Sequence, residues 1–540
     1  MIITKLFIQN YKQLKCVTFT VNPDINIFVG ENDSGKSTIL EAISILSSGK
    51  LNGYAFDKQI KANLFNIDVR NAYKASLSQY PNVKEPPSII FEAYCDTDDA
   101  TYSGTNNSLG ENCAGIRVVV ELNPEHASTY KKLLAAHEIY DIPVEFYTVS
   151  FRYFSGDTVA YRFCPIKAVF IDTTRKDYSY VVDRFVSESI ATYLSPQEQI
   201  DLCTAYRKSR YNFHTNETVI KLNKSVKENV HIGNHSLSID LKEEEVDEWK
   251  KQMTVMVGET PFENVGFGSQ NTIKIELALK NSSEQVNMVL MEEPENNLSF
   301  TNMAKLVQHI QKSVKKQVFI STHSSFISNK LNLGNLLLVS NGETISFKDL
   351  PDETKYYFKK LPGYDTLRLV LAEKVILVEG PTDELIIQRA YLDTYGKLPA
   401  TDGIDIIVVG SLAFKRYCDI AVLLNKKAVI VTDNDGCIQK NIIEKYNDYL
   451  EKDNLVFFYE KDEALNTIEL SVLAVNCENG IPSEVFKRAI STNGSMMNKS
   501  RDEILNFMLN NKAEWAMRVF DSDEKINYPE YIKNAIKEYS

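Results

Sequence analysis

An α/β chain of more than one domain is the fold class this sequence predicts, on three observations. An apolar run, Ile25-Asn26-Ile27-Phe28-Val29, opens directly into the glycine-bracketed string Gly30-Glu31-Asn32-Asp33-Ser34-Gly35-Lys36-Ser37 and then into a helical pattern. Short apolar runs alternate again with helix-spaced stretches from Lys374 to Tyr459, and carboxylates stand at the ends of those late runs. At 540 residues the chain suggests about three units on a scale of ~150 residues each.

In order, residues 1–30 read as strands with polar turns (Ile2-Ile3, Leu6-Phe7-Ile8, Val17-Thr18-Phe19, Ile25–Val29). Ile39, Leu40, Ile43 and Leu46 then share one helical face, with Gly49 as the stop. Residues 50–180 hold further strand-like runs, such as Ser88–Tyr94 and Ile116–Leu122. Residues 181–260 are richer in charge and helical spacing, and read as an inserted helical region. A second β/α stretch covers 261–349, a helical connector broken by Pro362-Gly363 covers 350–371, and a small parallel sheet is expected in 372–540. No internal repeat or low-complexity tract interrupts this order.

Acidic residues outnumber basic ones, 72 to 60, for a net charge of −12. A simple basic DNA-coating protein is excluded, and any nucleic-acid contact needs a local basic surface or bound cations. Eight scattered cysteines form no CxxC pair, which argues for reduced thiols. The N-terminus has no signal-peptide layout and no run nears the ~20 apolar residues of a membrane span, so a cytoplasmic protein with no membrane partner is expected.

The glycine string is a P-loop. Gly30 and Gly35 let backbone N–H groups turn toward phosphate oxygens, with Asn32 and Ser34 in the loop and Thr38 just after it. Lys36 supplies charge to the terminal phosphates of ATP, and the Ser37 hydroxyl suits its Mg²⁺. The apolar strand Val289-Leu290-Met291 ending in Glu292-Glu293 fits a Walker B motif. Glu292 would sit on the magnesium side, and Glu293 would orient or deprotonate the attacking water. Lys36 and Glu292 lie 256 positions apart, so long insertions separate the halves.

That spacing resembles ABC-type ATPases of the DNA-repair and structural-maintenance branch. The resemblance implies that Gly266-Phe267-Gly268-Ser269-Gln270 is a degenerate signature loop, with Gly268, Ser269 and Gln270 meeting nucleotide held by a second subunit. It likewise implies that Glu295-Asn296-Asn297-Leu298 crosses a dimer interface and that His323, after an apolar strand, is the switch histidine. No Q-loop is placed.

The second site is acidic. Val375–Val378 delivers Glu379 and Gly380 to a strand end, with Asp383 in the first turn of the following helix; Ala428–Thr432 delivers Asp433 and Asp435. Such hard oxygen ligands suit Mg²⁺ or Mn²⁺, two of which together can hold a phosphodiester. The pattern, EGxxDE and a later DxD, resembles the Toprim domain. That resemblance adds Glu469 as a further metal acid and Lys512 as a late lysine that would neutralise charge in the transition state.

An ABC-type ATPase with a helical (dimerisation) insertion, followed by a Rossmann-like Toprim domain, resembles the OLD family of nucleases. The parts so expected are an ATPase domain in 1–180 and 261–349, the insertion in 181–260, a linker in 350–371 and a Toprim nuclease domain in 372–540. The resemblance implies ATP-regulated, metal-dependent DNA cleavage and homodimers or higher homo-oligomers through the ATPase part. It also implies defence against phage with a possible second component, as in Gabija-type or retron-associated systems. The alternatives are a DNA-repair-type ATPase that binds ends without cleaving, and a topoisomerase-like strand passer, for which no gate domain is visible.

Three further strings carry bland readings. His231 and His235 are spaced for a zinc site but flank Gly233-Asn234, which favours a surface loop. Tyr206-Arg207-Lys208-Ser209-Arg210-Tyr211-Asn212-Phe213 suits phosphates and bases or an amphipathic helix face, and Glu243–Glu245 suits a solvated helix.

Overall fold

The computed structural model describes the chain except residues 52, 162–163, 174–193, 230–236, 240–254, 281–286, 313–315, 341, 411 and 540. The His231–His235 pair and the Glu243–Glu245 run lie outside the described residues, as does part of the expected insertion. The chain falls into two compact units, Met1–Asn26 with Ser37–Ser321, and Ile27–Lys36 with Thr322–Ser540. The expected division kept the P-loop strand with residues 1–180.

In the first unit, β1 (Ile3–Tyr11) and β2 (Leu14–Thr20) form an antiparallel hairpin. β3 (Ile25–Val29) follows and leads into α1 (Lys36–Ser48) through the phosphate loop. The hairpin joins β4 (Ile89–Cys95), β5 (Cys113–Leu122) and β6 (Tyr147–Tyr153) in one antiparallel sheet, in the order β2-β1-β4-β5-β6. A parallel set of β7 (Ala168–Asp172), β8 (Met288–Glu292) and β9 (Gln317–Ser321) pairs Val169 with Val289 and Leu290 with Phe319. Every residue of β8 and β9 is buried, the uniform apolar signature of parallel strands covered on both faces. The described helices of this unit include α2 (Pro196–His214), α3 (Glu217–Asn229), α4 (Phe267–Lys280) and α5 (Phe300–Lys312). α2 starts at a capping box in which Ser195 and Glu198 satisfy each other's backbone N–H groups.

The second unit takes β3 because β3 pairs in parallel with β10 (Leu336–Ser340), Phe28 opposite Leu337; β11 (Glu343–Ser346) closes that edge antiparallel. Between β9 and β10 stands the short helix α6 (Ser325–Lys330), capped by the Ser324 hydroxyl. The connector forms α7 (Asp352–Lys360) and α8 (Thr366–Leu371), parted at Pro362-Gly363 as the sequence expects.

Beyond them lies a four-stranded, all-parallel sheet: β12 (Lys374–Val378), β13 (Ile404–Val408), β14 (Ala428–Val431) and β15 (Leu455–Phe458), in the order β13-β12-β14-β15. Its helices are α9 (Pro381–Tyr395), α10 (Phe414–Leu423), α11 (Ile468–Val475), α12 (Lys512–Asp521) and α13 (Glu530–Lys537). Ile376, Val378, Val429 and Val431 pack with Ile386, Ile387, Trp515 and Ile532 in one core. At ~25 cal/mol per Å² of apolar area, such side chains each contribute roughly 1.5–3 kcal/mol. No helix among the described residues is long and apolar enough to cross a membrane.

Candidate functional site

The strand order of the parallel sheet places a crevice. β12 comes first in the chain, its successor β13 lies on one side and β14 on the other, so the connections diverge at the C-terminal ends of β12 and β14. Open parallel sheets bind ligands at such a switch point. Glu379 follows β12 and Asp433 follows β14, so these two acids flank it.

Each acid is held differently. Glu379 is half-buried, and its carbonyl accepts from Gly410 N at 3.1 Å, which ties the loop after β13 to it. Asp383 is buried in the first turn of α9, where its Oδ2 accepts from Gly380 N at 2.9 Å. It is therefore also a cap for that helix. Burial, then the charges of Glu379 and Glu469, push its pKa up to about 7 against the pull of the Gly380 N–H. Burial pushes Asp433 up to about 8, with the charges of Asp383, Glu379, Glu469 and Asp435 adding to it.

Asp435 is exposed and turns the chain with φ +49°. Between them, fully buried Asn434 donates to Glu460 O at 2.8 Å and Asp462 O at 3.0 Å, and accepts from Gly436 N at 2.9 Å. Asn434 is the strut that sets the loop, a role legible only from its place inside the DxD string.

Glu469 stands in the first turn of α11 with 1% exposure, and neither carboxylate oxygen has a hydrogen-bond partner. Buried polar groups are nearly always partnered, so an orphaned carboxyl beside three other acids fits a cation. As they stand, no three His, Cys, Asp or Glu side chains among the described residues are gathered tightly enough to ligate one ion. The acids share one electrostatic neighbourhood without closing into a ligand cage.

Lys512 is not drawn into this group. It is exposed at the first residue of α12 and forms no ion pair among the described residues, because the buried face of that helix is formed by Trp515, Ala516 and Val519. The C-terminal segment reaches the acids otherwise. α13 packs on β14, β15 and α9, and the buried Tyr531 phenol is pushed well up by burial and then by Asp433 and Asp383. Arg389 on α9 anchors that segment. Its guanidinium donates to Val519 O at 3.1 Å, Phe520 O at 2.7 Å, Glu524 O at 3.2 Å and Ser522 O, and pairs with Asp393 at 3.0 Å. The sequence carried no signal for Tyr531 or Arg389.

The P-loop has the backbone its motif requires. Gly35 has φ +108°, open only to glycine without strain. Lys36 Nζ folds onto Gly30 O at 2.9 Å and Glu31 O at 2.7 Å, and the buried Ser34 hydroxyl has no partner. Asn32 is exposed in the turn, and Thr38 is buried with its hydroxyl on Gln13 Oε1 at 2.9 Å. In the first unit, Ser37 Oγ donates to Glu292 Oε1, which joins the two residues expected to share magnesium.

Glu293 has φ +43°, uncommon for a non-glycine residue, and accepts from Asn296 Nδ2 at 2.8 Å. Thr173 Oγ1 holds the same turn through Glu292 O at 2.9 Å and Glu293 O at 2.6 Å.

Gly268 and Ser269 lie in the first turn of α4, not in an open loop. A Cβ on Gly268 would stand 2.3 Å from Asn297 O, so glycine permits contact with the segment after Walker B. The Gln270 amide turns inward to Glu263 O at 3.2 Å and Val265 O at 2.8 Å, which commits it to the backbone instead of a nucleotide. His323 is exposed, directly after β9.

Comparison with known proteins gives two family matches: residues 370–435 match the "Overcoming lysogenization defect protein-like, TOPRIM domain", and residues 1–257 match the AAA ATPase domain. Among curated proteins, Endonuclease GajA of Bacillus cereus (strain HuB5-5) is 25% identical over 294 residues, 43% of this chain and 42% of that one. GajA of strain VD045 is 27% identical over 163 residues, 29% and 28% of the two chains. The chain thus spans less than half the length of these relatives. DNA replication and repair protein RecF of Haemophilus ducreyi is 40% identical over 48 residues, 9% and 13% of the two chains. Among solved structures, an SMC head bound to the C-terminal winged-helix domain of ScpA aligns over 64% of this chain and 99% of its own. Its identity is 14% and its TM-score 0.35.

Proposed function

We propose that this chain, which joins a P-loop ATPase domain to a C-terminal OLD-like Toprim domain, is an OLD-family, ATP-regulated, metal-dependent DNA endonuclease. The observation that carries this reading is Glu469, buried with both oxygens unpartnered beside Asp383 and Asp433 at the switch point of the parallel sheet. Glu379, Asp383, Asp433, Asp435 and Glu469 are the residues that would hold Mg²⁺ or Mn²⁺. Bound there, the ions would supply Lewis acidity to a phosphodiester and a more acidic water.

The chain's own residues do the rest. Glu379, half-buried at the crevice, is placed to take the proton of an attacking water. Asp383 and Asp433 are raised to about 7 and about 8, and a bound cation would favour their ionised forms. The net charge of −12 makes cations at the crevice the means by which a DNA phosphate approaches it. In the ATPase part, Lys36, Ser37 and Glu292 would hold Mg-ATP, and Glu293 would orient water. The similarity to proteins named Endonuclease GajA supports nuclease chemistry; action in the cytoplasm as part of phage defence is the further part of the proposal.

The test is supercoiled plasmid with Mg²⁺ or Mn²⁺, with and without ATP. Nicking is expected for the wild type and its loss for Glu379→Ala and Asp433→Ala, with ATP binding kept. Nicking that survives both substitutions refutes the proposal. A DNA-end-binding ATPase that does not cleave is the second reading, favoured by the lack of a closed ligand cage among the described acids. Tight end binding without nicking under any of these conditions would establish it.

A further inference from the structure

The loop that follows the ATPase strand β9 is joined to the strands bearing the acids by an unbroken run of hydrogen bonds within the second unit. Thr322, fully buried, donates its N–H to Phe28 O at 3.2 Å, on the strand that enters the P-loop. Its Oγ1 accepts from Ser324 N at 2.9 Å, and Ser324 in turn caps α6 through Ile327 N at 3.3 Å. The residue between them is His323, the expected switch histidine.

α6 then grips α8. Ser325 Oγ donates to Asp365, the N-cap of α8, and accepts from Leu367 N at 3.2 Å. Asn329 has no exposed surface and every polar group in use: Nδ2 donates to Tyr364 O at 2.7 Å and Pro362 O at 3.3 Å, and Oδ1 accepts from Thr366 Oγ1 at 2.6 Å. Thr366 is equally buried. A buried amide satisfied this fully fixes one relative placement of two helices.

α8 holds the N-terminal ends of the parallel sheet. Arg368 donates to Asp405 on β13 at 3.0 and 3.2 Å. Lys426, two residues before β14, places its ammonium on the carbonyls that end α8: Leu369 O at 3.0 Å, Val370 O at 2.7 Å and Ala372 O at 2.5 Å. A cation at a helix C-terminus meets both the orphan carbonyls and the dipole. The Glu31 carboxylate of the P-loop also acts on this ammonium. β14 is four residues long and ends two positions before Asp433, so a shift of α8 at one end is carried as a rigid rod to the acid at the other.

We infer that the Asn329–Thr366 junction between α6 and α8 is the coupling element through which the nucleotide state of the P-loop and His323 loop sets the arrangement of the acids around Asp433. This rests on the reading of a nucleotide-regulated metal site given above. It names two positioning residues outside both sites. It also gives the coupling a physical carrier, a packed helix pair whose placement both sites bias.

The experiment uses the full chain as wild type, Asn329→Ala and Thr366→Val, the last being nearly isosteric and retaining the packing if the first fails to fold. Three quantities are measured: ATP affinity, backbone hydrogen exchange at 380–384 and 433–437 with and without ATP, and plasmid nicking with and without ATP. In the wild type, ATP shifts exchange in both loops. In the variants ATP affinity and nucleotide-free nicking stay within about two-fold of wild type, while the exchange shift vanishes and the nicking ratio with and without ATP falls to about one. Variants that keep the wild-type response, or wild-type loops unmoved by bound ATP, overturn the inference. A protein that never nicks but whose loops answer ATP through Asn329 and Thr366 refutes the nuclease reading and upholds the coupling.

Discussion

Stability in the absence of divalent cations should fall as pH rises, with Asp433 as the main cause. Its carboxyl keeps its proton up to about 8 in the folded chain, against an ordinary value of 3.8. Between these values the native state binds a proton that the unfolded chain has lost. The contribution is therefore complete below 3.8 and disappears as pH climbs through about 8, at ~1.4 kcal/mol per pH unit. From pH 6 to pH 8 Asp433 alone accounts for roughly 2.3 kcal/mol, because the carboxyl is already half ionised at pH 8. For a unit of this size that is a fall in melting temperature of about 5–10 °C. Asp383, raised to about 7 by the same burial and neighbours, acts in the same direction below pH 7.

The assay is thermal melting in EDTA at half-unit steps from pH 6 to 9, for wild type and Asp433→Asn. The wild-type midpoint should slide downward and the variant should lose most of the slope. Added Mg²⁺ should restore the wild-type midpoint at pH 8, by about 2.7 kcal/mol at a hundredfold excess over Kd, and leave Asp433→Asn unmoved. A flat or rising wild-type profile in EDTA, or an equal slope in the variant, would refute the burial and repulsion argument.

Three further outcomes are expected. Glu469→Gln should cut plasmid nicking by at least ~100-fold and abolish the Mg²⁺-induced rise in melting temperature, yet leave ATP affinity unchanged; retained nicking would return Glu469 to a packing role. Lys36→Ala should eliminate binding of a fluorescent ATP analogue while sparing metal-induced stabilisation of the acid site, as read by melting. Arg389→Ala removes the cation paired with Asp393, leaves that carboxylate only the Tyr528 hydroxyl, and frees four carbonyls. It should destabilise by about 3–5 kcal/mol and open residues 512–537 to limited proteolysis, whereas a uniformly resistant variant would show that α12 and α13 are held by packing alone.

The elements the residue pattern announced most clearly are those whose side chains face one way along the whole element. The uniform apolar runs Val375–Val378 and Ala428–Val431 read as buried parallel strands because both faces are covered, and they form β12 and β14. The P-loop was legible because its backbone demands glycine at Gly35. Less legible were residues whose role depends on partners far away in the chain: Arg389 on carbonyls more than a hundred positions on, Tyr531 against Asp433, and Asn329 against Thr366. Gln270 differs from expectation for a local reason. Its place beside Gly268 suggests a nucleotide contact, yet the first turn of α4 directs its amide to Val265 O.

By itself the order of residues determined the local chemistry of this protein: a glycine-built phosphate loop, strands that end in acids, and helices that start on Pro381 or Ser195. These depend on neighbours within a few positions, where backbone geometry and side-chain type suffice. Only the tertiary structure decided which acids share a field, because burial and like charge act through space. It left Glu469 without a partner, made Asp383 a helix cap as well as a site acid, and kept Lys512 on the surface.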